Sequence, residues 1–138
     1  MKRIALVLFN NNKGEILLHL KDDKSPTIFP DYWSLPEGFL EEGGAEAGTL
    51  VRGMMEEHSI DPRSFHFFNR YEYIDETSNK KFELFVFTCR INLHILKITL
   101  HEGQKVDYVH PMYLHLVNIH PIIKRIIKDF SRLTVEKK

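Results

Sequence analysis

The sequence predicts an α+β fold in which a mixed β-sheet lies between helices. Three observations predict it. Apolar runs bounded by turn residues recur at 4–9, 15–21, 64–75 and 80–92, the mark of strands. Between the second and third of them, residues 45–58 carry apolar side chains at helical spacing. A further amphipathic stretch begins at His120–Pro121 and places Ile122, Ile123, Ile126, Ile127 and Phe130 on one stripe.

Composition narrows the class. A chain of 138 residues suits a single domain, 1–138, with a polar tail expected to be flexible over 131–138. The 43% hydrophobic content is enough for an ordinary core. Formal net charge is zero and the pI is about 7.1, which argues against a nucleic-acid polymer or a polybasic membrane patch as partner. Cys89 is the one cysteine, so no intrachain disulfide forms; its apolar setting marks it as a small buried hydrophobe. The N-terminal apolar run is brief and meets Asn10, Asn11 and Asn12 rather than a cleavage site. No run reaches the length of a membrane span, and a cytoplasmic location is expected.

Taken in order, Ile4–Phe9 and the run Ile16–Leu20 flank an Asn/Gly turn and predict a β-hairpin. The first strand lacks alternation, so it is expected to be central and buried on both faces. Residues 21–33 form a charged loop with two prolines. Trp33-Ser34-Leu35-Pro36-Glu37-Gly38 is expected to be a strand end running into a turn.

The helix predicted over 45–58 has two faces. Ala47, Leu50, Val51, Met54 and His58 form the docking stripe, while Thr49, Arg52, Gly53, Glu56 and Glu57 lie opposite. On those residues alone, a solvated face with weak i,i+4 pairing is the ordinary interpretation. Paired carboxylates are also what a hard cation such as magnesium requires. Gly48 and Gly53 weaken the helix by roughly 0.5–1 kcal/mol each, so packing must hold it.

Residues 64–75 and 80–92, rich in aromatic and β-branched side chains, predict a long antiparallel pair closed by the loop 76–80. One face is expected to cover the core, and an aromatic on the other to floor a substrate cleft. Next comes His101-Glu102-Gly103, a turn, and then an apolar strand; Pro111–Leu116 predicts a short helix. His110, His115 and His120 stand five apart, which does not align them on one helix face as metal ligands. They are expected to be structural or surface residues.

The stretch from Trp33 to Ile60 resembles the box of the Nudix (MutT-like) hydrolases. Gly38, Arg52, Met54, Glu56, Glu57 and Ile60 fall at the family spacing. Trp33, Leu35 and Pro36 fit its lead-in, and Glu41 fits a common acidic position. Gly44 and Gly53 stand where the family has Glu, Ser59 where it has Gly, and Glu37 where Gly is frequent.

The resemblance implies an α/β/α sandwich. It also implies a metal-dependent pyrophosphohydrolase that cleaves a phosphoanhydride in a nucleoside diphosphate linked to another group. By the same resemblance Glu56, Glu57 and Glu102 hold Mg2+ or Mn2+ with the carbonyl of Glu37. Glu102 is the third ligand or the base, Arg52 orients the carboxylates, and Lys21 and Lys24 lie near the substrate. A nucleotide-type small molecule is the implied partner, and a homodimer is admitted. Because Gly53 removes an expected ligand, a second expectation stands beside the first: a silent Nudix fold that binds a nucleotide or a protein without turnover.

Overall fold

A computed structural model describes residues 2–20, 29–40, 65–92 and 105–136. Among them are six strands, β1 (Lys2–Asn10), β2 (Ile16–Leu20), β3 (Glu37–Leu40), β4 (Phe65–Ile74), β5 (Lys81–Arg90) and β6 (Lys105–Val109). A 3-10 helix at Pro111–Leu116 and an α-helix, α1, at Pro121–Glu136 follow. The fold is mixed α+β, as predicted. Two compact units make up the chain, Met1–Leu8 with Pro36–Arg90 and Phe9–Leu35 with Ile91–Lys138.

In the first unit the strand order is β4–β5–β1, and β3 also pairs with β1. Ile4, Ala5, Leu6, Val7 and Leu8 are fully buried. Consecutive strand residues point to opposite faces, so both faces of β1 are covered and no alternation can appear in its sequence. The region around Glu37–Gly38, expected to be a turn, is instead the start of β3, with Arg3 opposite Leu40 and Leu6 opposite Glu37. The backbone of β1 supplies the partner that Pro36 and Gly38 do not advertise locally.

The β4–β5 hairpin forms as predicted. Its register breaks between Phe67 and Asn69, which leaves Phe68 as the extra residue of a bulge. Burial on β5 changes face there. Phe82, Leu84 and Val86 are buried on one side, then Phe87 and Cys89 on the other.

In the second unit the end of β1 meets β2 at Asn10 opposite Ile16. β2 then runs antiparallel to β6, from Ile16 opposite Val109 to Leu20 opposite Lys105. α1 buries Ile123, Ile126 and Ile127, the predicted stripe. It continues to Glu136, past the residue-130 end expected from sequence, so residues 131–136 are helical where a flexible tail was expected. Ser131–Glu136 holds no Gly or Pro to stop a helix.

Two histidines open the helical elements. His110 Nδ1 accepts the Met112 N–H at 3.2 Å, and His120 Nδ1 accepts the Ile122 N–H at 3.1 Å. Each precedes a proline whose missing N–H costs nothing at the first helical position. An acceptor at Nδ1 places the proton of the neutral ring on Nε2. None of the helices in the described residues is long and apolar enough to cross a membrane.

Candidate functional site

The box is entered through a backbone held at Trp33, Ser34 and Pro36. In the second unit, Trp33 N–H donates to the Asn118 carbonyl at 2.9 Å, and His19 and Ser34 exchange both backbone bonds at 2.8 Å. His19 and Ser34 are both buried. Asn118 Nδ2 also donates to the Asp31 carbonyl at 3.0 Å, where Asp31 sits at φ 68. His120 packs its ring against Phe29 and Tyr32, at 4.9 and 5.3 Å between centroids.

In the first unit, Val7 N–H donates to the Pro36 carbonyl at 3.0 Å. That bond makes Val7 and Pro36 the hydrogen-bonded pair. Bonded and non-bonded pairs alternate in an antiparallel ladder. Leu6 and Glu37 are therefore a non-bonded pair, and the Glu37 carbonyl points away from β1. This is the orientation a backbone ligand needs.

Both carboxylate oxygens of Glu37 are buried as well. Sequence reasoning assigned Glu37 only its carbonyl. Burying a carboxylate costs several kcal/mol unless cations or donors offset it, so a Glu at this position is a costly oxygen-bearing group at the start of the box. The signal was present in the sequence: Glu37 stands where the resembling family often has Gly.

Lys21, Lys24, Arg52, Glu56, Glu57 and Glu102 lie outside the described residues, as do Glu41, Gly44, Gly53 and the helix predicted over 45–58. Among the described residues no group of three or more His, Cys, Asp or Glu side chains is placed to hold a metal ion.

The aromatic hairpin is described. Phe65 and Phe67 both set their edges against Phe87, at 5.8 and 5.6 Å, and Tyr73 stacks on Phe82 at 6.1 Å. Phe67 keeps 57% of its surface exposed. On β6, burial pushes the Tyr108 hydroxyl above the usual tyrosine pKa, and the negative charge of Glu15 adds to the shift.

Sheet and helices make a mixed α+β fold of the MutT-like kind. A MutT protein structure from Methanosarcina mazei Go1 matches with TM-score 0.71 at 20% identity, covering 96% of this chain and 94% of that one. A C. elegans Ap4A hydrolase in a binary complex matches with TM-score 0.66 at 16% identity, covering 96% and 98%. The NUDIX domain of Shewanella oneidensis NrtR, complexed with ADP ribose, matches with TM-score 0.68 at 14% identity, covering 95% and 87%. No protein of curated description matches the sequence significantly. The NUDIX domain family profile matches residues 1–130, and the chain belongs to the Nudix family.

Proposed function

We propose that this chain is a cytoplasmic, metal-dependent Nudix pyrophosphohydrolase, one domain that cleaves a phosphoanhydride in a nucleoside diphosphate linked to another group. The observation that carries the reading is the start of the box. Glu37 sits on a strand with its carbonyl turned away from β1 and its carboxylate oxygens buried, two hard oxygen groups that precede the Glu-rich segment in the sequence. Oxygen donors of this kind fit Mg2+ or Mn2+.

Glu56 and Glu57 would hold the cation, with Glu102 and the Glu37 carbonyl as further ligands. When bound, the cation neutralises phosphate charge and orients the attacking water. Glu102 would be a third ligand or the base that takes the proton from that water. Arg52 orients the carboxylates. With Gly44 in place of its expected partner, Glu41 or Glu56 serves that role. Lys21 and Lys24 contact the phosphates or the leaving group. One structural neighbour is named an Ap4A hydrolase and another is complexed with ADP ribose, and both of those molecules contain a nucleoside diphosphate.

The test is hydrolysis of a panel containing ordinary and oxidised nucleoside triphosphates, ADP-ribose, nucleotide sugars and a dinucleoside polyphosphate, with and without Mg2+ or Mn2+. Metal-dependent turnover lost in Glu57→Gln supports the proposal. Gly53→Glu restores the family carboxylate and should raise turnover, whereas Gly53→Ala supplies only the helical benefit of roughly 0.5–1 kcal/mol. No turnover in any variant, with nucleotide binding retained, would assign the chain to the silent class.

A further inference from the structure

β4 is ten residues long and pairs with β5 along one edge. Among the described residues no strand lies on its other edge. The hairpin determines which backbone groups face that open side. Asp75 N–H donates to the Lys80 carbonyl at 2.9 Å, so Asp75 and Lys80 are a hydrogen-bonded pair. Alternation along the ladder then makes Tyr73 and Tyr71 the residues bonded to β5, while Ile74, Glu72 and Arg70 turn their N–H and C=O groups outward. Arg70 shows the same parity independently: its N–H is accepted by the Asn69 side chain at 2.8 Å.

We propose that β4 is a homodimerisation edge. Two copies pair their β4 strands antiparallel about a two-fold axis at Tyr71, with Arg70 of each copy opposite Glu72 of the other. Charge selects this register. An axis perpendicular to a continuous sheet keeps every side chain on its own face, so a residue can pair only with one of the same parity. Centring the axis on Arg70 sets Arg70 opposite Arg70, and centring it on Glu72 sets Glu72 opposite Glu72. Like charges directly opposite are destabilising. Centring it on Tyr71 gives two Arg–Glu pairs instead, and these fall on the outward-facing row that supplies the inter-strand hydrogen bonds.

The side chains are prepared for it. Arg70 and Glu72 are exposed and bonded to each other at 3.1 Å, and Arg70 also bonds Glu83. Both carboxylates raise the Arg70 pKa, Glu83 more than Glu72, so the guanidinium stays charged under all ordinary conditions. It has five N–H donors, enough to add a third carboxylate. Ile74 and Phe67 flank the charged centre with 51% and 57% of their surfaces exposed. A long exposed edge of this composition is a template for another strand. The Asn69 oxygen on the Arg70 N–H is an exposed bond, which the Glu72 carbonyl of the second copy replaces.

Sedimentation equilibrium from micromolar to near-millimolar concentration tests the proposal. The full chain should show a concentration-dependent monomer–dimer equilibrium. Glu72→Pro removes an outward N–H that β5 does not use, and proline is tolerated on an edge with its N side facing solvent. It should abolish the dimer while the circular dichroism spectrum and thermal unfolding stay those of the wild type. Arg70→Glu should weaken the dimer by about tenfold or more, because two attractive pairs become repulsive. The charge swap Arg70→Glu with Glu72→Arg should restore it. A monomer at every concentration overturns the proposal. So does a dimer indifferent to the Arg70→Glu substitution, which leaves strand propensity in place should Glu72→Pro fail to fold.

Discussion

Two hairpin turns among the described residues solve one problem with opposite chemistry. The β1–β2 turn is organised by Asn11. Its Oδ1 accepts the N–H groups of Lys13 and Glu15, both at 3.0 Å, and its Nδ2 donates to Glu15 Oε1 at 2.9 Å. The β4–β5 turn is organised by Asp75. Its Oδ1 accepts the Thr77 N–H at 3.3 Å, and Oδ2 accepts the Ser78 hydroxyl at 2.7 Å. Each turn needs one left-handed residue, Gly14 at φ 77 and Asn79 at φ 59.

The difference is burial. Asn11 is 9% exposed, and its turn is tied across the chain where Asn12 N–H donates to Asn92 Oδ1. The Asp75 turn is exposed and local. A buried site beside Glu15 needs a neutral amide that both donates and accepts, whereas water tolerates a carboxylate that only accepts.

The largest effect should follow at Asn11. Asn11→Ala removes the acceptor of two part-buried N–H groups together with the bond to Glu15, and should cost about 1–3 kcal/mol in urea unfolding. Asn11→Asp keeps the acceptor but sets a carboxylate against Glu15. It should destabilise at neutral pH and recover as the pH falls and the pair takes up a proton, because the unfolded state then no longer holds the advantage in charge. Equal loss at both pH values would break the comparison.

Gly14→Ala comes next, at about 1–2 kcal/mol, from the left-handed backbone alone. A Cβ there would meet the His110 ring at 3.6 Å, which is ordinary contact. Asp75→Ala should cost only about 0.5–1 kcal/mol, since water replaces the lost acceptor. If Asp75→Ala costs as much as Asn11→Ala, burial is not what separates the turns.

The smallest effect sharpens the role of Glu15. Tyr108 has its folded pKa raised, first by burial and then by Glu15. The protonated phenol is thus favoured in the folded state. Its stabilising contribution is complete below the ordinary tyrosine range and is lost as pH rises through the folded value. In an absorbance titration at alkaline pH, Glu15→Gln should lower the Tyr108 midpoint part of the way, and the share due to burial should remain.

Much of this was legible in the sequence. The turn at Asn10–Gly14, the loop at 76–80 and the stripe of Ile123, Ile126 and Ile127 announce themselves, because turn residues and apolar periodicity act within a few positions. The box spacing from Gly38 to Ile60 was legible in the same way, and its residues beyond Leu40 lie outside the described set. β3 was not legible. Pro36, Glu37 and Gly38 favour a turn locally, and only pairing with Arg3–Leu6 makes a strand of them. The His110 and His120 caps were hidden too, since histidine is not an ordinary N-cap and only the following prolines hinted at the helix starts.

The sequence by itself determined the fold class, the family, the location of the strands other than β3 and the start of α1. Those follow from side-chain type and spacing along one segment. The tertiary structure decided that Glu37–Leu40 pairs with β1, that the Glu37 carbonyl turns away from β1, and that the backbone groups of Arg70 and Glu72 face an edge that carries no strand among the described residues. Each of these depends on which backbone groups are consumed by a strand distant in sequence, and a segment's own side chains do not encode its partner's hydrogen bonds.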